Sequence, residues 1–347
     1  MKKLGQHFLK NSGVVKTIAR SIDPKAGDII IEIGPGHGEL SAQLANRTDA
    51  FSVIEKDERL AEELRQRATR EGWGIEVVSG DALEMLPAMI RKYTDARHGI
   101  TFNDGNFPPK QSVATKYQPH AERRLLHATT TAPRASGHTL KIVGNIPYYI
   151  TGHLLRIISE LDCAPDLCVF LIQEEVAERI AAQPPRMNRL AASIQFWARP
   201  EIILHVPRED FAPPPNVDSA VIRLSRKTDV APVGATEHEE ETGGSRSPRR
   251  QPRASGQSHA SDSRLYYATV RALFAQPRKT ISNNIRAAIM ISGKSDRRTP
   301  KETSAAALRD AIIDRFASIG IDSSLRPQNL TVEDIHAIAR EFKDVLA

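Results

Sequence analysis

The sequence predicts an α/β fold, a doubly wound parallel sheet with a small C-terminal all-α domain. Two observations carry the first part. Short apolar runs alternate with charged, amphipathic stretches between residues 12 and 182, the rhythm of strand–helix–strand units. A glycine-rich turn, Gly34-Pro35-Gly36-His37-Gly38, directly follows the first of those runs. A third observation separates the domains: past a polar stretch at 227–261, apolar residues recur at helical spacing.

The elements follow in order. Asn11 and Ser12 can cap a helix running to about Ser21. Residues 28–33, Asp-Ile-Ile-Ile-Glu-Ile, read as a buried parallel strand. A helix over 39–46 follows the glycine turn. Residues 51–54 form a second strand ending at Glu55, and the charged stretch 57–70 is its helix. Residues 75–78 form a third strand, with Gly80 and Asp81 at its tip. Residues 140–143 and 167–172 are the fourth and fifth strands. Helices start near Thr151 and Gln173. After the linker, helical spacing covers 264–274, 278–291, 303–319 and 332–342. The domains are therefore residues 1–226, a linker at 227–262, and 263–347.

Two stretches break the pattern. Residues 93–138 are rich in Thr, Pro, His, Gly and Arg with little periodicity, and read as a surface insertion. Residues 227–261 hold a Glu run and then Gly-Gly-Ser-Arg-Ser-Pro-Arg-Arg, and cannot bury enough apolar surface to order themselves.

Composition bounds the function. The 347 residues carry a formal charge of +6, which favours a polyanionic partner. Aromatics are 5%, too few for a broad base-stacking platform, so a few rings must do any stacking. Cys163 and Cys168 are too few for a Cys-rich metal site, and read as reduced structural thiols. No metal is expected. The N-terminus lacks the apolar stretch of a signal peptide and no window approaches membrane-spanning length. A cytosolic protein is expected.

Three strand ends carry the cofactor argument. The pattern at the first is Glu-x-Gly-x-Gly-x-Gly, with Gly34 and Gly36 letting the backbone approach a ligand closely. It is neither Gly-x-Gly-x-x-Gly nor a lysine-bearing phosphate loop, so no pyrophosphate is required. Glu55 stands about twenty residues on, where a carboxylate accepts ribose hydroxyls. Asp81, with Ala82 after it, ends the third strand, where it can accept from an adenine amine. Either acid alone reads as a solvated strand end; three in order resemble an S-adenosylmethionine site.

The fourth strand leads into Gly144-Asn145-Ile146-Pro147-Tyr148-Tyr149-Ile150. An amide, backbone carbonyls fixed by a proline and an aromatic face suit a planar base carrying an amine. With this loop added, the chain resembles the ribosomal RNA adenine dimethyltransferases, and more narrowly the bacterial kasugamycin-sensitivity methyltransferases. The resemblance extends through Gly5-Gln6-His7-Phe8-Leu9, the segment 211–221 (Phe-Ala-Pro-Pro-Pro-Asn-Val-Asp-Ser-Ala-Val), residues 273–280 and Arg326-Pro327. It implies that His7 and Leu9 line the cofactor pocket with Gly34, Glu55, Asp81 and Asn145. The family often has Asn where His7 stands.

On this reading Asn145 Oδ1 and the Ile146 carbonyl accept the two hydrogens of an adenine N6 amine. Pro147 fixes the loop. Tyr148 stacks on the flipped base, with Phe211 on the opposite face and Tyr149 structural. The implied reaction dimethylates two adjacent adenines near the 3′ end of small-subunit rRNA, in the pre-30S particle and by a monomer. Arg278, Lys279, Arg223 and Arg226 are candidate phosphate contacts. Spacing alone supplies only an amine methyltransferase. A large-subunit methyltransferase of the macrolide-resistance type and a mainly non-catalytic ribosome-assembly factor are the alternatives.

Overall fold

A computed structural model describes residues 7–48, 50–96, 139–161, 164–227, 256–292 and 305–346. Strands β1 (Phe8–Leu9), β2 (Ile29–Ile33), β3 (Ala50–Glu55), β4 (Glu76–Ser79), β5 (Leu140–Asn145) and β6 (Leu167–Gln173) alternate with helices. Those helices are α1 (Ser12–Ile22), α2 (Glu39–Leu44), α3 (Glu58–Glu71), α4 (Ala82–Ala96), α5 (Thr151–Glu160) and α6 (Glu174–Ala181). Helix α7 (Arg189–Gln195), strand β7 (Ala198–Val206), strand β8 (Phe211–Ala212) and strand β9 (Ser219–Arg226) complete the N-terminal region.

The main sheet has seven strands in the order β4-β3-β2-β5-β6-β9-β7. Strands β2 to β6 are parallel. The sheet therefore winds outward from β2 through β3 to β4, then restarts on the other side at β5. The gap between the carboxyl ends of β2 and β5 is the topological switch point, where open α/β sheets form a crevice. Every residue of β2 is buried. Its alternate isoleucines face opposite layers: Ile29, Ile31 and Ile33 join the core that contains Leu86, Met89 and Leu154, and Ile30 joins the core of α1 and α2. Burial on both faces explains the unbroken apolar run.

Close strand approach at the switch point has a local cause. A Cβ on Gly144 of β5 would lie 2.3 Å from the Ile33 carbonyl oxygen, so only glycine fits there. At the far end of the same strand Lys141 is buried, its Nζ 2.7 Å from an Asp28 carboxylate oxygen and donating to the Ile22 and Asp23 carbonyls at 3.0 and 2.6 Å. That ammonium joins β5, β2 and the C-terminus of α1, where the helix dipole favours a cation.

Three features depart from the sequence reading. First, the sheet is mixed: β9 runs antiparallel to β6 and β7 antiparallel to β9. The edge strand β7 carries Arg199, Pro200 and Glu201 near its start, a composition suited to an edge and lacking clean alternation. Second, Tyr93 belongs to helix α4 and bonds Ser52 and Glu76, so it is not part of an insertion. Leu86, Met89 and Ile90 keep helical spacing and are buried; Pro87 within the helix obscures the period. Third, helix α8 starts at Gly256, inside the predicted linker, because a helix once nucleated extends at little cost. Residues 97–138 and 228–255 lie outside the described residues, as does Cys163. Cys168 is buried in β6, and burial pushes its thiol up, away from reactivity.

The C-terminal region packs α8 (Gly256–Leu273), α9 (Ile281–Ser292), α10 (Ala305–Ser318), α11 (Val332–Glu341) and α12 (Lys343–Leu346) around one apolar core. That core also takes in Met187, Ala191 and Ala192 of the first region. Tyr266 donates to the Ala192 carbonyl at 3.0 Å and its ring stacks on Phe196 at 4.4 Å. Arg315, buried, bridges Glu341 and Asp344 and lies over the Phe342 ring. Arg278 and Lys279 lie exposed between α8 and α9.

Candidate active site

A cavity opens at the switch point. It is lined by β1, the turn after β2, the end of β3 and the loop after β5, with Phe211 beside them. The turn after β2 places Gly34 at φ +67° and Gly36 at φ +57°, a left-handed backbone that favours glycine. The same turn brings Gly34 toward the opposite loop: a Cβ on it would meet the Asn145 carbonyl at 3.5 Å.

Glu55 ends β3 and is 4% exposed. One carboxylate oxygen accepts from the Gly36 amide at 3.1 Å, the other from the Asp57 amide at 2.9 Å. Burial pushes this carboxyl up, and the amides of Asp57 and Gly36 oppose that rise. With the Lys56 amide as a third backbone donor, the carboxylate keeps acceptor capacity for a ligand hydroxyl. The turn and the acid are thus one unit.

Glu32 is a site residue that received no role above. It lines the same cavity, is 1% exposed, and accepts from Ser41 Oγ at 2.7 Å. Burial pushes its carboxyl up to about 8 against the Ser41 bond, with Glu39 and Glu55 adding repulsion. Its position as the first residue of Glu-x-Gly-x-Gly-x-Gly is the signal that could have found it.

Asp81 and Ala82 follow β4 directly after Gly80, whose amide donates to the Glu55 carbonyl at 2.9 Å. Neither lines the cavity. Asp81 caps α4, accepting from the Leu83 amide at 2.9 Å, and its other oxygen is 2.7 Å from Lys56 Nζ. Burial raises this carboxyl, but Lys56 and the Leu83 amide outweigh it and hold it below the usual range.

The opposite wall is assembled from distant segments. Asn145 Nδ2 donates to the His7 carbonyl at 3.0 Å. Only the amide NH₂ can make that bond, so Oδ1 remains as the acceptor. The Ile146 amide donates to the Leu171 carbonyl at 3.0 Å, which pins the loop to β6. The Pro147 carbonyl accepts from the Ile150 amide at 3.0 Å and from Thr151 Oγ1 at 3.3 Å. Tyr148 is half-buried and its hydroxyl bonds Ser219 Oγ at 2.8 Å. The ring stacked against Tyr148 is His7, at 5.9 Å and 28°. His7 Nδ1 in turn donates to the Pro213 carbonyl at 2.8 Å. Leu9 pairs in register with Phe211. Phe211 lines the cavity yet is only 1% exposed, its ring packed into the α1–α2 core. Tyr149, expected to be structural, is instead 60% exposed, because the turn through Pro147 and Ile150 sends it away from Tyr148.

Among the described residues no His, Cys, Asp or Glu group suits a metal ion, and no helix is long and apolar enough to cross a membrane.

A glycine turn and a buried acid facing an Asn-Ile-Pro-Tyr loop across one crevice define the site of a Rossmann-like methyltransferase. A family profile described as "Ribosomal RNA adenine dimethylase" matches residues 1–238, and the chain belongs to that family. Its substrate is rRNA, and its methyl donor is S-adenosylmethionine. The chain is 27% identical to a "Ribosomal RNA small subunit methyltransferase A" of Pelotomaculum thermopropionicum, over 99% of this chain and 91% of that protein. A dimethyladenosine transferase from Plasmodium falciparum has the same fold, with a TM-score of 0.66 at 20% identity over 97% and 98% of the two chains. The fold also matches a 23S rRNA methyltransferase, ErmE, with a TM-score of 0.56 at 20% identity over 97% and 99% of the two chains.

Proposed function

We propose that this protein dimethylates the N6 amines of two adjacent adenines near the 3′ end of small-subunit (16S) rRNA, acting as a cytoplasmic monomer on the pre-30S particle. The observation that supports the chemistry best is the Asn145 amide. Its NH₂ is spent on the His7 backbone, which leaves Oδ1 as an acceptor on a wall of the cavity.

An adenine N6 amine is a poor nucleophile because its lone pair is delocalised into the ring. On the proposed reading Asn145 Oδ1 and the Ile146 carbonyl accept its two hydrogens and favour a pyramidal nitrogen. This is alignment and electrostatic stabilisation, not covalent catalysis by the protein. S-adenosylmethionine, when bound, supplies the methyl group and a sulfonium leaving group. Gly34 and Gly36 leave room for it, Glu55 accepts its ribose hydroxyls, and His7, Leu9 and Glu32 close the pocket around it. Asp81 and Ala82 serve its adenine, which requires Asp81 to share or release Lys56. The proton shed by the amine passes to water. Tyr148, its hydroxyl anchored on Ser219, stacks on the flipped base, and Phe211 supports the facing wall from the core. Extruding the base costs roughly a few kcal/mol, which stacking of about 1–3 kcal/mol per base can offset. The helical region, with Arg278 and Lys279 exposed, holds structured RNA by shape and charge.

The test mixes purified protein, methyl-labelled S-adenosylmethionine and undermethylated small subunits. The expected product is N6,N6-dimethyladenine at two neighbouring positions of the small-subunit rRNA. Label found only in large-subunit RNA overturns the target; no label in either RNA overturns the activity.

A further inference from the structure

We propose that Tyr149 is a stacking platform for the nucleobase next to the target adenine. This rests on the substrate reading above and extends it to a second base. Three observations converge on Tyr149. It is 60% exposed, whereas most large apolar side chains of the described residues are covered. Among the described residues it has no hydrogen-bond or ring partner. It also directly follows Asn145, Ile146, Pro147 and Tyr148, four consecutive residues that line the cavity.

The backbone explains the arrangement. The Ile150 amide closes a turn on the Pro147 carbonyl at 3.0 Å. Tyr148 and Tyr149 are the two central residues of that turn, so their side chains diverge. Tyr148 turns inward and is anchored on Ser219. Tyr149 turns outward into solvent. Tyr149 thus stands on the solvent side of the loop whose preceding residues line the cavity.

A base that leaves its stack exposes a face of its neighbour. When two adjacent adenines are both substrates, the one waiting remains covalently tied to the one in the cavity and must lie at the mouth. A flat ring there replaces the lost stacking partner. It needs no sequence-specific hydrogen bond, because every base offers a π-face. The proposal therefore assigns Tyr148 and Tyr149 to consecutive nucleotides, one inside and one on the rim. Tyr149 is a positioning residue and touches no reacting atom.

The experiment compares Tyr149→Ala, Tyr149→Phe and Tyr149→Trp with the parent on undermethylated small subunits. Loss of one base stack predicts a KM for subunits raised ~10-fold in Tyr149→Ala, with unchanged affinity for S-adenosylmethionine and an unchanged melting midpoint. Product from the Ala variant should be enriched in rRNA carrying only one modified adenine. Phe and Trp should restore parental behaviour, because the ring and not the hydroxyl is required. Parental KM and product pattern in Tyr149→Ala overturn the proposal. So does failure of both Phe and Trp to restore, weakened cofactor binding, or a lowered melting midpoint in the Ala variant. A parent protein that leaves small-subunit adenines unmodified rejects the substrate reading itself, and this inference with it.

Discussion

The two walls of the cavity are built in different ways. The wall proposed to hold the cofactor is local. Gly34, Gly36, Glu55 and Asp57 belong to consecutive strand–loop units, and their contacts are backbone amides meeting one carboxylate. The wall proposed to hold the amine is a composite. Asn145 is oriented by His7, His7 by Pro213, and Tyr148 by Ser219, so segments from both ends of the first region meet in one bond network. A wall made from one stretch of chain is in place once that stretch folds. A wall made from three is in place only when β1 has paired with β8 and β9 with β6. The difference suggests that cofactor binding and turnover can be separated by mutation.

The largest expected effect lies on the composite wall. Asn145→Ala removes the side-chain acceptor for the amine. Turnover should fall roughly 10²–10³-fold, the usual cost of deleting one preorganised polar contact to a reacting group. Affinity for small subunits, read by filter binding, should stay parental. Undiminished methylation would reject the role given to Asn145. On the local wall, Glu55→Ala should weaken S-adenosylmethionine binding by roughly 10–100-fold, since hydrogen bonds to a charged group are worth about 1.5–3 kcal/mol. Calorimetric titration giving a parental Kd would remove Glu55 from the ribose site. If both variants lost cofactor binding and turnover together, the two walls would not be separable.

The smallest expected effect concerns Glu32, on the local wall. Its folded pKa, pushed up to about 8 by burial, exceeds its ordinary value near 4.5. The folded state therefore holds this proton more tightly than the unfolded chain. That stabilisation is complete below about pH 4.5 and fades as pH rises through about 8. Glu32→Gln keeps an acceptor for Ser41 and removes the titration. The variant should gain melting temperature over the parent as pH rises from 6 to 9, by a few degrees. Parallel pH profiles for the two proteins would show that Glu32 is not held protonated.

Much of the cavity's lining was legible in the sequence because it rests on short patterns. Asn11 accepts from the Gly13 and Val14 amides as the N-cap of α1, and Asp57 caps α3. The Gly34 turn and the Asn145 loop both follow strands at the carboxyl edge of the sheet, as their flanking apolar runs imply. Other features needed partners that no local pattern names. Asp81 carries the residue type of an adenine contact, yet its carboxylate is held by Lys56 and by the start of α4. Phe211 has the residue type of a stacking ring, yet its pairing with Leu9 draws it into the core. Tyr149 looked like a packing residue beside Tyr148, and one turn put it in water.

The sequence alone determined the strand–helix alternation, the switch-point turn, the helical C-terminal region and the place of the Asn145 loop at the end of a strand. Alternating burial and glycine punctuation act over a few residues, so they can be read along the chain. Only the tertiary structure decided the antiparallel β9–β7 edge that presents Ser219 to Tyr148, the docking of α7 into the helical core, and the direction of each ring at the cavity. Those outcomes depend on which distant surfaces meet. Burial patterns specify that a face must be covered, but not by what.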